Sequence, residues 1–167
     1  MSDSILTQAR LKEVLHYNRT TGVFTYRAAS GRGQPRGRVG QVAGRQNPDG
    51  YVRVSVDGVR HLAHRLVWLY VHGRWPELMV DHINGCKSDN RKKNLREANH
   101  SQNGQNVHCA KAGAPLPGAY WRPRRSRWEA QLRINGVHRH LGYFDTAEKA
   151  HAAYVAAKRT HHPFNTL

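Results

Sequence analysis

The chain has 167 residues, enough for one ordinary domain or two small ones, and too few for a large multi-domain machine. Its 27 Lys and Arg against 11 Asp and Glu leave a formal charge of +16, which repels itself in a compact free protein and points to a polyanionic partner. A membrane role is disfavoured: the apolar run Leu66–Val71 is far short of the roughly 20 residues that cross a bilayer, and no helix pairs a basic face with a large apolar one.

The opening "MSDSILTQAR" has no basic start followed by an apolar stretch, so no secretory signal is expected. The first predicted element is a short amphipathic helix over Thr7–Tyr17, with Leu11, Val14 and Leu15 at helical spacing and Thr7 as its cap. "TGVFTYR" then turns at Gly22 into a strand through Val23–Tyr26. The Gly- and Arg-rich segment that follows suits no regular element and reads as a basic loop at 27–47, with tracking of a phosphate backbone as the functional alternative to a solvated linker.

"YVRVSVDGVRHLAHR" sets Tyr51, Arg53 and Ser55 against Val52, Val54 and Val56, and Asp57-Gly58 is a preferred dipeptide of tight hairpin turns, so a two-stranded ribbon is expected. "HLAHRLVWLYVHG" continues as a helix that stops at Gly73 with Pro76 beyond it. His64 on that helix reads as a packed or capping residue rather than a ligand. Cys86 and Cys109 are too few for a disulfide framework or a four-ligand zinc site, so no structural zinc is expected and both read as reduced thiols of a cytoplasmic protein.

The stretch "VDHINGCKSDNRKKNLREANHSQNGQN", Val80–Asn106, is dense in Asp, His, Asn and basic residues and poor in apolar ones. Phosphodiester hydrolysis needs a base for the attacking water and positive charge at the phosphate and the leaving oxygen, and one imidazole with one divalent ion meets both needs. Asp81 and His82 stand adjacent at the end of a predicted strand, so their side chains diverge. A hard cation takes a few carboxylate or amide oxygens and keeps several waters. Asn103, on a predicted helix in "REANHSQNGQN", is the second ligand candidate, ahead of Asn99, His100 and Asn106.

On "DHING", "DNRKKNL" and "SQN" the stretch resembles the HNH nucleases, and within them the phage and group I intron homing endonucleases that carry Asn in place of the final His. The resemblance implies a ββα-metal fold, His82 as general base, and Asn94 as the Asn that fixes the loop or orients the base, with Asn90 able to compete for that role. It also implies Asp81 and Asn103 as ligands of one divalent ion, magnesium first and manganese second. Arg91, Lys92, Lys93 and Arg96 read as a strip facing DNA phosphates.

"HCAKAGAPLPGAY" reads as a linker, and a second unit follows in which Asn135-Gly136 closes a hairpin and "VHRHLGYF" supplies a third strand. Asp145 or Thr146 caps a helix with Ala147, Ala150, Ala153, Tyr154 and Ala157 on one face. Alternation puts Trp128, Ala130, Leu132 and Ile134 against that helix and Glu129, Gln131 and Arg133 on the other face, with Tyr120, Arg122, His138 and His140. Arg124, Arg125 and Arg127 fall in or beside the first turn, suited to phosphate contact, and Trp121 and Trp128 read as core. With "LGYFDTAEKAHAAY" as its most distinctive part, residues 118–167 resemble the Apetala-type domain of plant ethylene-response factors. That resemblance implies DNA contacts from Arg122, Arg127, Gln131, Arg133 and His140. His138 and His140 replace the Arg and Trp of the plant third strand, so the plant recognition sequence does not carry over.

The expected class is α+β: a ββα-metal nuclease module plus a small three-stranded antiparallel sheet with one packed helix. The expected segments are 1–50 (helix, strand and basic loop), 51–109 (nuclease), 110–117 (linker) and 118–167 (DNA-binding). The functional expectation is a site-specific, metal-dependent homing-type DNA endonuclease acting on double-stranded DNA as a monomer or DNA-bound dimer, in a bacterial host cell and compatible with a phage gene. The alternatives are a non-catalytic sequence-specific DNA-binding protein with a decayed nuclease module and, more weakly, an RNA-binding protein, for which the sheet lacks an evident pair of stacking aromatics.

Overall fold

The computed structural model describes residues 6–27, 39–106 and 114–166. Most of the Gly- and Arg-rich loop, Cys109 and the first part of the predicted linker lie outside these residues. The chain divides into two compact units, Met1–Asn99 and His100–Leu167.

The first unit opens with α1 (Gln8–Val14), capped by the Thr7 hydroxyl, which accepts from the Arg10 amide. The predicted helix ran to Tyr17, yet Leu15–Asn18 is a strand, β1, with Leu15 and Tyr17 buried and His16 and Asn18 exposed. Pairing with β2 (Val23–Tyr26), in the register Leu15↔Tyr26 and Tyr17↔Phe24, overrides the local helical spacing by burying both alternate side chains. Asn18 closes the turn by accepting the amides of Thr20 and Thr21 on its side chain and that of Gly22 on its carbonyl. The short β3 (Val42–Ala43) adds to β2.

A second sheet joins β4 (Arg45–Gln46), β5 (Val52–Val56) and β6 (Val59–Leu62) in that order. Its β5–β6 turn is Asp57-Gly58 with φ of 50° and 84°, the doubly left-handed form that the dipeptide predicts. Val54 and Val56 face the core, as the alternation requires. α2 (Ala63–His72) follows directly and ends on left-handed Gly73. Leu66, Val67, Trp68 and Leu69 join Leu11, Val14, Phe24 and Val54 in one core. Two strands complete the unit: β7 (Met79–His82) and β8 (Leu95–Ala98), antiparallel with Asp81↔Arg96 and His82↔Leu95. Arg96–Ala98, read from sequence as helix, is therefore strand. Ladder pairing with β7 and the cross-strand ion pair of Arg96 with Asp81 account for it, and the Glu97 carboxylate also accepts the Glu77 amide at 2.8 Å.

The second unit begins with α3 (His100–Gln105) and holds the sheet β11–β10–β9, made of β9 (Ala119–Arg122), β10 (Arg127–Ile134) and β11 (Val137–Phe144). The Asn135-Gly136 hairpin forms as predicted, and Leu141 is an extra residue on β11, because Ala130 faces Gly142 while Gln131 faces His140. α4 (Ala147–His161) is capped by the Thr146 hydroxyl. Ala119, Ala130, Ala147 and Ala150 form the close contact between helix and sheet. Trp128 packs on this core as expected, but Trp121 is 46 % exposed, its ring tilted on that of Trp128 at 5.3 Å. Trp121 stands opposite Trp128 across β9 and β10, outside the cluster that Ala119, Ala130, Ala147 and Ala150 form. The overall class is thus mixed α and β, with several small antiparallel sheets and four α-helices among the described residues. No helix among those residues is long and apolar enough to cross a membrane.

Candidate active site

His82 closes β7 and is only 4 % exposed, with Asp81 beside it at 7 %. The loop from Ile83 to Asn94 has little apolar surface to bury, and side-chain amides hold it instead. Asn94 carries most of this work. Its Oδ1 accepts the Asn84 amide at 2.9 Å, while its Nδ2 donates to Asn84 Oδ1 at 2.9 Å and to the Asp89 carbonyl at 2.8 Å. Asn84 in turn donates to Asp89 Oδ2 and accepts the Cys86 amide. Buried amides satisfied in this way cost little, whereas any one left open would be penalised, so the polar density of the stretch is itself the packing of the loop.

The amide that faces the imidazole belongs to Asn90, not Asn94. Asn90 Nδ2 donates to the Ser88 carbonyl at 3.1 Å, which fixes the amide's orientation and turns Oδ1 towards His82 Nε2 at 3.2 Å. The proton of a neutral His82 therefore sits on Nε2, and Nδ1 carries the basic lone pair. Burial pulls the His82 pKa below its ordinary value, against the hydrogen bond it donates to Asn90 and the charges of Asp81 and Asp89, so the ring is neutral at physiological pH.

The Asn90 segment rests on β1 and β2. Tyr17 donates its hydroxyl to the Asn90 carbonyl at 2.8 Å, and burial raises that phenol to about 12, so it stays protonated. Gly22, at φ +76°, lies so close that a Cβ there would fall 2.5 Å from the Arg91 nitrogen. Sequence reasoning missed both residues. The buried alternation of "LHYN" was the available signal for Tyr17, and nothing local marked its partner.

Asp81 meets Arg96 through Nε at 3.0 Å and Nη2 at 2.9 Å, both on Oδ2. Asp81 sets beside His82 a carboxylate of the kind a hard divalent cation takes together with amide oxygen and water, with its Oδ2 engaged by Arg96. Among the described residues no cluster of three or more His, Cys, Asp or Glu could hold a metal. Asn103 lies on α3, in the second unit.

The predicted basic strip is not a uniform row of solvated cations. Arg91 is paired with Asp89, which holds that carboxyl at about 2. Lys92 lies over the Trp68 ring at 4.6 Å, partly desolvated, which lowers its pKa, and Arg96 holds Asp81. Lys93 is exposed. A groove of about 920 Å³ in the same unit is lined instead by Arg45, Arg53 and Arg60 among others.

In the second unit the polar sheet face is organised around Glu129, only 6 % exposed between Arg122 and His140, whose Nδ1 lies 2.7 Å from its carboxylate. Burial raises this carboxyl, but hydrogen bonds from Gln131, Arg122 and His140 outweigh it, and the net shift is downward. Arg122 and His140 thus share an internal partner before any ligand arrives. Arg133 donates to the Gly136 carbonyl, Arg125 lies over the Tyr143 ring at 4.7 Å, and the Arg127 guanidinium stands 3.5 Å from Asp145. Tyr120 and Gln131 are half-buried, whereas Arg124 and His138 are exposed.

His64, the second residue of α2, is 5 % exposed and packs its ring edge-on to His82, centroids 5.0 Å apart at 82°. Burial, then the neighbouring charges of His82 and Arg65, push its pKa from 6.5 down to about 3. A histidine depressed in the folded state binds its proton more readily once unfolded, so its stabilising share is whole above pH 6.5 and is lost as pH falls towards 3. Between pH 7 and pH 4 that share amounts to roughly 3 kcal/mol. Urea melts should therefore show the wild type losing more stability over that range than His64→Phe, and parallel pH profiles would refute the assignment.

Residues 61–105 match the family model of the HNH endonucleases. No curated protein and no solved structure matches the chain significantly. The matched segment contains β7, its loop, β8 and α3, so it covers both the His82 site and Asn103. At the family level this supports a nuclease that acts on DNA, and HNH nucleases generally use a divalent metal.

Proposed function

We propose that the chain is a site-specific, divalent-metal-dependent DNA endonuclease of homing type, in which His82 is the general base. The observation that carries this reading is the neutral His82 ring, held through Nε2 by Asn90 and standing beside Asp81 within the segment that matches the HNH endonucleases. A water at the phosphorus gives its proton to Nδ1 of His82 as its oxygen forms the new bond, and the bond to the 3′ oxygen breaks with its electron pair left on that oxygen, which takes a proton from solvent water. The products carry 5′-phosphate and 3′-hydroxyl ends. Asn90 keeps the base in the required tautomer, and Asn94 acts by holding the loop between them. When bound by Asp81 and Asn103, a hard cation, magnesium in our reading, supplies positive charge at the phosphate and the leaving oxygen.

The second unit serves as an Apetala-type DNA reader. Its three-stranded sheet backed by a helix, with Arg122, Gln131, Arg133, His138 and His140 on the polar side, supports major-groove readout. Tyr120 shares that side, and Arg124, Arg125 and Arg127 meet phosphates at its end. The exposed Lys93, with Arg91, Lys92 and Arg96, does the same beside the nuclease site. The arginine-lined groove adds sequence-independent attraction to the backbone.

The test is cleavage of a supercoiled plasmid library of host genomic fragments in magnesium, with mapping of the ends. Nicked or linear products with 5′-phosphate ends, absent in chelator, are expected. Tight duplex binding without cleavage in magnesium or manganese would instead identify a DNA-binding protein with a decayed nuclease module.

A further inference from the structure

An exposed imidazole can meet a base edge in two senses, because in the neutral ring one nitrogen donates and the other accepts. The partner of the inward nitrogen decides which is which. In the second unit the His140 side chain is 47 % exposed, and its Nδ1 lies 2.7 Å from Oε1 of the buried Glu129. Arg122 takes the other oxygen through Nε, and Gln131 also donates to this carboxylate. Burial works against the charge, yet these hydrogen bonds hold the carboxyl below its ordinary value, so it is ionised at neutral pH. An ionised carboxylate only accepts, so Nδ1 of His140 carries the proton. The lone pair of the neutral ring is then on Nε2, the nitrogen turned away from the carboxylate. Tyr143 lies against the ring, centroids 4.5 Å apart. An ion pair with Arg122 alone would have satisfied the charge of Glu129, whereas its second oxygen is committed to fixing an exposed histidine.

We propose that Glu129 is a specificity-determining positioning residue of the second unit: by accepting the Nδ1 proton it makes Nε2 of the neutral His140 an acceptor that pairs with the amino group of an adenine or a cytosine in the major groove. This rests on the second unit as a DNA reader. In that groove adenine N6 and cytosine N4 donate, while guanine presents only the acceptors O6 and N7. An acceptor set against an acceptor is repulsive, so guanine is excluded at the position that His140 meets. Exchanging the acid for its amide reverses the sense. Glu129→Gln has one accepting oxygen, and Arg122, which only donates and makes the stronger charge-assisted bond, keeps it. The amide NH₂ then faces His140, Nδ1 must accept, and the proton moves to Nε2, which now suits guanine.

The experiment selects bound duplexes from a randomised library with the full chain, in chelator so that no strand is cut, and at about pH 9 so that an imidazole carries one proton. Circular dichroism melts first establish that each variant is folded. At one base position the wild type should favour adenine or cytosine over guanine by about 5- to 30-fold, Glu129→Gln should reverse that preference, and His140→Ala should level it. Nitrogen NMR of His140 in the absence of DNA reads the same switch: an Nδ1-protonated tautomer in the wild type and an Nε2-protonated one in Glu129→Gln. A folded Glu129→Gln that selects the same bases as the wild type, base preferences untouched in His140→Ala, or an Nε2-protonated wild-type ring would each overturn the proposal. Should Glu129→Gln fail to fold, the wild-type tautomer and the His140→Ala selection still decide it. Failure of the underlying reading looks different: a selection with no sequence preference at all removes the DNA reader, and the proposal with it, even where the NMR signal shows Glu129 holding the ring.

Discussion

Replacing His82 with Ala should reduce nicking by about 10²- to 10⁴-fold, the range over which a positioned general base accelerates proton transfer. Duplex affinity should move by less than about threefold, because in the proposed reading affinity for nucleic acid rests on many cationic side chains and not on one neutral ring. The measurement is single-turnover cleavage in magnesium alongside a filter-binding titration at fixed salt. His82 is buried and bonded to Asn90, so the variant also leaves Asn90 Oδ1 without its partner and should lose roughly 1–3 kcal/mol of stability. Assays well below the melting temperature separate the two effects. A folded variant that cuts at the wild-type rate would show that another group takes the proton.

Gly22→Ala is the second large effect, and it acts at a distance in sequence. The new Cβ would stand 2.5 Å from the Arg91 nitrogen and 2.7 Å from the Asn90 carbonyl carbon, both backbone atoms that cannot swing aside. The position also has φ of +76°, which an L side chain rarely adopts. Together these should cost roughly 2–4 kcal/mol of unfolding free energy. Because the displaced backbone is that of Asn90, cleavage should fall as well, through loss of the hold on His82. Gly58→Ala is the control: its φ is +84° but nothing lies within 4 Å of a Cβ, so about 1 kcal/mol and no loss of cleavage are expected. Urea melts and nicking rates of the two variants, measured together, decide the matter. Equal effects from both would mean that the contact with the Asn90 segment carries nothing.

The buried state of Glu129 and its clamp on Arg122 and His140 bear on the proposed role of the second unit as a DNA reader. Both side chains were expected to face a duplex, and both are already oriented by a carboxylate below them. Pre-orientation reduces the side-chain entropy lost on binding. Alternation placed Glu129 on the right face but could not tell that Arg122 and His140 would both turn in to its carboxylate.

Much of the local architecture was written in the chain itself. Asp57-Gly58 and Asn135-Gly136 specified their hairpins, because those dipeptides alone favour the left-handed turn that a twisted ribbon needs. Thr7 specified its helix start, Asp145 or Thr146 that of α4, which Thr146 caps, Gly73 a helix end, and the Val52/Val54/Val56 alternation the buried face of β5. The excess of positive charge and the run from Asp81 to Asn103 pointed to phosphodiester chemistry without any structure. Tertiary structure alone decided the rest. It turned Leu15–Asn18 and Arg96–Ala98 into strands, since ladder pairing and cross-strand charge outweigh weak local preference. It also put Asn90 rather than Asn94 on His82, set Tyr51 and His64 against that ring, and brought Tyr17 and Gly22 to the backbone of the Asn90 segment. Those contacts join residues tens of positions apart, and no period, spacing or dipeptide encodes which distant side chains a folded core will bring together.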